Sequence, residues 1–216
     1  MVSEVLDFVT PKEVAGAVAR AVPLVQAGHL IVLPTDTVYG IGADAFSPHA
    51  VDALLTAKGR GREKPSPVLI ADVSDAQKLA ASINDEAQAL MDAMWPGALT
   101  IVLPAREQLG WDLGETGGTV ALRVPNFERT RDLLRFTGPL AVSSANLTGH
   151  PAALSAHTAR AQLGDNVSLY LDAGDAPGAV PSTIVTWDES GMLHVLRHGA
   201  ISDEQIQAAI GHSVRK

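Results

Sequence analysis

Eight short apolar runs, beginning with "LIVL" (30–33) and ending with "MLHVLRHG" (192–199), alternate along the chain with stretches of helical character. No other feature constrains the fold as tightly. Runs this short, bounded by Gly, Pro or hydroxyl residues, suit strands covered on both faces, whereas helices need ten or more residues of 3.6-residue periodicity. The runs between these two are "PVLIA" (67–71), "ALTIVLP" (98–104), "TVALRVP" (119–125), "PLAVSSAN" (139–146), "VSLYLDAG" (167–174) and "STIVTW" (182–187).

The helical stretches carry their own start and stop signals. Thr10-Pro11-Lys12-Glu13 is a capping box, and Val14, Val18, Val22 and Val25 follow at helical spacing up to Gly28, with Pro23 predicted to kink or tighten the last turn. Ser47-Pro48 opens a second helix through Val51, Leu54 and Leu55, which stops at Lys58-Gly59. One helix carries Leu79, and another runs from Asn84 or Asp85 through Leu90, Met91 and Met94 to Trp95-Pro96-Gly97. "ERTRDLLRF" (128–136) is helical, and the capping box Ser202 to Gln205 opens a last helix. The segment 105–118, rich in Gly and charge and without periodicity, is predicted to be a mobile loop. No internal repeat or low-complexity linker divides the 216 residues, so one α/β domain over 1–216 is predicted, with a large mixed sheet covered by helices.

Composition narrows the function. The acidic N-terminus lacks the basic and apolar regions of a signal peptide, and no apolar run approaches the roughly 20 residues of a membrane helix. Zero cysteines exclude disulfides, thiolate nucleophiles and Cys-ligated metals, and the cytoplasm is the expected compartment. A net charge of −8 argues against coating nucleic acid by global electrostatics, so an anion site has to be local. Neither a P-loop nor a dinucleotide-binding glycine pattern occurs, His-Glu-x-x-His is missing, and Ser143-Ser144 lacks a nucleophile elbow.

Several runs end on polar residues, as ligand-binding strand ends do. "LIVL" is followed at once by "PTDTVYG", which brings Thr35, Asp36, Thr37 and Tyr39 to the end of a buried strand. "KGRGREK" (58–64) is either a solvated loop or a clamp for a polyphosphate, with Arg supplying a fork and Lys a point charge. Arg123 in "TVALRVP" shares a face with Ala121, opposite Leu122 and Val124, and is either exposed, ion-paired or a two-point grip on a carboxylate. "SSAN" and "PSTIV" taken singly are turns or caps, and Arg197 in "LRHG" can equally be a sheet-surface residue.

Taken in order, "PTDTVYGIG", "AKGR…KP", "WPGALTIVL", "TVALRVP", "SSANLTG", "PSTIV" and "LRHG" resemble the YrdC/TsaC-type L-threonylcarbamoyladenylate synthases, over about residues 10 to 201. The resemblance implies a twisted sheet of mixed and antiparallel strands around a large basic cavity; some members of that family carry a second C-terminal domain, for which the 216 residues are expected to leave no room. It implies conversion of L-threonine, bicarbonate or CO2, and ATP into threonylcarbamoyl-AMP and pyrophosphate, the first step of N6-threonylcarbamoyladenosine formation in tRNA. Magnesium would accompany ATP, with no metal ligand assigned to protein side chains. A tRNA threonylcarbamoyltransferase complex would be the downstream partner, and contact with tRNA or double-stranded RNA is implied as an option.

By position, the resemblance places Thr35, Arg123, Ser182, the backbone at Val142, and Tyr39 as a shaping residue on the threonine side. Lys58, Arg60, Lys64, Thr119, Ser144, Asn146, Ala152 and Arg197 fall on the ATP side, with Lys58 and Arg60 as the catalytic pair neutralising phosphate charge. This chain departs from relatives in having Lys64-Pro65-Ser66 where many have Asn-Pro-Leu, and Leu69 or Ile70 where some have a histidine. The competing readings are a double-stranded RNA or ribosome-precursor binding module and a carbamoyl-transfer domain of the hydrogenase-maturation type.

Overall fold

A computed structural model describes residues 3–211; the first two and last five residues of the expected 1–216 domain lie outside the described residues. Helix α1 (Pro11–Gln26) starts at the anticipated capping box, in which Thr10 accepts from Glu13 N and the Glu13 carboxylate accepts from Thr10 N. Pro23 lies inside α1, and the Ala27 amide closes the last turn onto the Pro23 carbonyl, so the helix runs on to Gln26. Helices α2 (Pro48–Lys58), α3 (Val73–Leu79), α4 (Asp85–Met94), α5 (Glu128–Thr137), α6 (Ala156–Leu163) and α7 (Asp203–Ile210) follow.

Ten strands form one sheet: β1 (Glu4–Asp7), β2 (Ile31–Leu33), β3 (Gly40–Asp44), β4 (Val68–Leu69), β5 (Leu99–Pro104), β6 (Thr119–Arg123), β7 (Leu140–Ser144), β8 (Leu169–Asp172), β9 (Thr183–Trp187) and β10 (Leu193–Arg197). Their order is β1-β8-β2-β3-β7-β4-β6-β5-β9-β10. The pairings β1–β8, β2–β8, β4–β6 and β5–β9 are parallel and the rest antiparallel, so the sheet is mixed as the sequence suggests.

Strand alternation splits the core into two layers. Ile31 and Leu33, Leu140 and Val142, and Leu169 and Leu171 face one side, where Val14, Val18, Ala21 and Val25 of α1 and Leu133 and Leu134 of α5 cover them. Val32, Ala141, Tyr170, Val120 and Leu122 point to the other side, against Leu54 and Leu55 of α2 and Leu90 and Met91 of α4. Each such fully buried aliphatic side chain contributes about 1.5–3 kcal/mol. Helices α1 and α5 cover their face only over part of the sheet; over β6, β5 and β9 the same face is left open as a cleft.

Four parts of the chain differ from the sequence reading. Strand β3 carries two glycines, yet it is central because a Cβ at Gly40 would meet Val142 Cγ1 at 2.5 Å, so close strand approach requires glycine there. Strand β1 and helix α6 are further elements that the apolar runs do not mark. Segment 105–118 contains a 3₁₀ turn (Glu107–Leu109), and buried Leu113, the Phe46–Trp111 ring stack and Arg62 ion pairs to Asp52 and Asp112 fix it to the body.

Candidate active site

The open part of the sheet forms a cleft of about 380 Å³, within the usual range for small-ligand sites. Its floor is β6, where Thr119, Ala121 and Arg123 point in while Leu122 and Val124 point into the core, as the alternation predicts. The turn after β2 brings Thr35, Thr37 and Tyr39; the segment after α2 brings Arg60 and Ser66; β7 brings Val142, Ser143 and Ser144; the loop after β7 brings Ala152. Ser182 precedes β9 and Arg197 ends β10. The register of β10 against β9 slips between Val195 and Arg197, and both Leu196 and Arg197 line the cleft at this bulge.

Three guanidinium groups converge here. Arg123 is 6% exposed, and each of its nitrogens has one acceptor: Nε donates to Gly97 O (2.9 Å), Nη1 to Thr37 Oγ1 (3.0 Å) and Nη2 to Asp36 Oδ1 (2.6 Å). One N–H on each terminal nitrogen is left over, the number a carboxylate takes. Arg60 Nη1 donates to Ser143 Oγ (2.9 Å), while its buried Nε has no partner among the described residues. Arg197 reaches across to the Ser182 carbonyl and hydroxyl at 2.6–3.0 Å, and Ser182 Oγ pairs with Thr100 Oγ1 at 2.8 Å.

Burial lowers the pKa of all three arginines, and Arg197 is lowered further by Arg123 and Arg60, so the three charges repel one another. Among the described ion pairs, these three arginines have one carboxylate partner between them, Asp36 on Arg123. The cleft therefore favours a ligand with several negative charges.

The remaining residues singled out in the sequence fall into two groups. Thr35, Tyr39, Thr119, Val142, Ser144, Ala152 and Ser182 line the cleft with the arginines. Thr119 Oγ1 donates to Thr116 O, the Val142 amide to Pro67 O, and no bond is made by the Ser144 hydroxyl among the described residues. The Tyr39 hydroxyl points away, donating to Gly174 O (2.5 Å) and accepting from Ala173 N (3.1 Å), and burial pushes its pKa up to about 12, so Tyr39 offers the cleft its ring.

Lys58, Lys64 and Asn146 are not on the cleft wall. The Lys58 ammonium, 3% exposed, donates to the carbonyls of Ser144 and Asn146 and holds the turn after β7 from behind; burial, with Arg60 adding to it, lowers its pKa to about 8. Asn146 bonds Leu147 O and His150 O through Nδ2. Lys64 is exposed. Asp36 and Thr37 had no role in the sequence reading, though their place in "PTDT" beside Thr35 was the available signal.

Residues 23–199 match the model of the Sua5/YciO/YrdC family, described as Telomere recombination. A Mycobacterium tuberculosis relative that carries the provisional name threonylcarbamoyl-AMP synthase is 48% identical over 210 residues, 97% of this chain and 96% of its own length. A Bacillus subtilis threonylcarbamoyl-AMP synthase is 36% identical over 197 residues, and the match spans 90% of this chain but 56% of that protein. Among solved structures, Pyrococcus abyssi Sua5 in complex with L-threonine superposes with a TM-score of 0.88 at 31% identity, over 98% of this chain and 62% of its own. Escherichia coli YciO shares the fold, with a TM-score of 0.83 at 23% identity over 95% of this chain and 100% of its own. The chain belongs to the Sua5/YciO/YrdC family.

Proposed function

We infer that this chain is a threonylcarbamoyl-AMP synthase, joining L-threonine, bicarbonate or CO2, and ATP with release of pyrophosphate. The observation that carries this reading is the convergence of three mutually repelling arginines on one cleft, Arg123 buried, Arg60 half-buried and Arg197 exposed, with Asp36 the one carboxylate ion-paired to them among the described residues. Such a site is at its most stable with a polyanion in place, and its relatives carry the name of an enzyme whose substrates are a triphosphate and an amino acid.

In the proposed arrangement Arg123 takes the threonine carboxylate at the two N–H groups left free, with Thr35, Val142 and Ser182 around it. Arg60, Arg197, the Ser144 hydroxyl and Thr119 face the phosphates, and Ala152 lies beside the nucleotide. Lys58 acts by holding the carbonyls of Ser144 and Asn146, and Lys64, exposed and off the cleft wall, is the weakest of the ATP-side assignments. Threonine's neutral amine adds to CO2 and loses a proton, giving a carbamate; a carbamate oxygen then attacks the α-phosphorus as the bond to pyrophosphate breaks. Alignment and charge stabilisation supply the catalysis, and no protein nucleophile is needed.

In the proposed reaction magnesium enters with ATP as part of the substrate; among the described residues no cluster of three His, Asp or Glu side chains stands ready for a metal. A downstream tRNA threonylcarbamoyltransferase complex would consume the product. No helix among the described residues is long and apolar enough to cross a membrane.

The test is pyrophosphate release from MgATP, with threonine and bicarbonate omitted in turn and serine as a comparison. Release that needs both, with an adenylate of the threonylcarbamoyl mass, is the expected result. Release indifferent to threonine, or none from folded protein together with salt-sensitive binding of double-stranded RNA, would refute it.

A further inference from the structure

The hydrogen bonds behind Arg123 have a direction that their distances and chemistry fix. Thr35 Oγ1 donates its one hydrogen to Val38 O at 2.6 Å, since a carbonyl only accepts. The 3.0 Å contact between Thr35 Oγ1 and Thr37 Oγ1 is therefore a donation from Thr37 to Thr35. Thr37 Oγ1 in turn accepts from Arg123 Nη1 at 3.0 Å. The chain runs one way, from guanidinium to Thr37 to Thr35 to the Val38 carbonyl. Thr35 Oγ1 also accepts from Thr37 N at 3.1 Å, which leaves its hydroxyl with nothing to offer a ligand. Both threonines are buried, at 3% and 2% exposure, so water does not stand in for a lost partner.

We propose that Thr37 is a positioning residue for the substrate carboxylate, acting through Arg123, and that Thr35 serves the site through its backbone and shape. This rests on the synthase reading. Asp36 Oδ1 holds Arg123 Nη2 and also accepts from Asn126 N, while Asp36 Oδ2 makes no bond among the described residues. Without an acceptor at Nη1, the guanidinium is free to turn onto both oxygens of Asp36 in a two-point pair, and the substrate carboxylate then has to displace that internal rival. Thr37 prevents this by occupying Nη1. Only a residue that accepts on one side and donates on the other completes the chain, which a serine also does and a valine does not.

The test compares Thr37→Val and Thr37→Ser by pyrophosphate release, with KM measured separately for L-threonine and ATP. Thr37→Val is expected to raise the threonine KM about tenfold, the effect of one lost hydrogen bond to a charged group, and to leave the ATP KM within about twofold. Thr37→Ser is expected to restore the threonine KM to within about twofold of wild type. An unchanged threonine KM in Thr37→Val, an equal rise in both KM values, or a serine variant as impaired as the valine variant overturns the proposal. Should Thr37→Val fail to fold, Thr37→Ala removes the same hydroxyl and decides the question by the same two KM values. A wild-type enzyme indifferent to threonine defeats the synthase reading itself, whereas threonine-dependent wild type with equally impaired variants defeats this inference alone.

Discussion

Lys58 permits a test of whether its ammonium is truly shut away from water. Its pKa is lowered from 10.5 to about 8, first by burial and then by Arg60. In the unfolded chain the amine keeps its proton up to about pH 10.4. Below pH 8 both states are protonated and Lys58 adds no pH dependence. Between about pH 8 and 10.5 the native state has lost a proton that the unfolded state still holds, so unfolding takes one up and stability rises with pH. The full gain, reached above the unfolded pKa, is ~3 kcal/mol; by pH 9.5 it is ~2 kcal/mol. The assay is urea unfolding of wild type and Lys58→Met at pH 7.5, 8.5 and 9.5, with the difference between the two proteins plotted against pH. That difference removes every other titrating group, including Tyr39 and Tyr170, whose pKa values of about 12 cost stability only as the pH passes their unfolded values near 10. A difference that stays flat from 7.5 to 9.5 would show the ammonium to be solvated, and Lys58 would then be a cation free to meet phosphate in the cleft.

Arg123→Ala is expected to raise the threonine KM roughly thirtyfold or more, the loss of a charge-assisted pair, with a much smaller change for ATP; an equal loss of both would remove its assignment to the carboxylate. Arg197→Ala is expected to raise the ATP KM roughly tenfold, since the side chain faces the cleft and is backed by Ser182; an unchanged ATP KM in steady-state assays argues against phosphate contact. Gly199→Ala would set a Cβ 2.3 Å from Pro181 O and 2.4 Å from the Ser182 carbonyl carbon, so a loss of about 1–3 kcal/mol in urea unfolding is expected, and an unshifted midpoint would contradict the packing.

Much of the fold was readable because its signals are local. The capping boxes at Thr10 and Ser202 and the proline at Pro48 mark helices by chemistry confined to four residues, and the structure has helices there. Strand β3 was not readable, because Gly40 and Gly42 are present for the neighbouring strands, where Val142 and Leu33 leave no room for larger side chains. The sheet order was also closed to sequence, since pairings such as Glu4 with Leu169 join residues with no local relation. For the site, the face that Arg123 occupies followed from alternation, whereas its partners Asp36, Thr37 and the Gly97 carbonyl come from two distant turns. Lys58 shows the limit from the other direction: residue type and position suggested a phosphate ligand, and only the path of its side chain shows the ammonium turned to two carbonyls.

Thr35, Arg60, Arg123, Ser144 and Arg197 come to the cleft from five separate stretches of chain, and only the completed sheet brings them together. A ligand that spans them therefore bridges strands that no short segment connects. Its binding energy is then set against opening of the whole sheet rather than fraying of one loop, with a stabilisation of RT ln(1 + [L]/Kd). Amide hydrogens far from the cleft, in β1 and β8, should for that reason exchange more slowly when substrate is bound, wherever their exchange requires global unfolding.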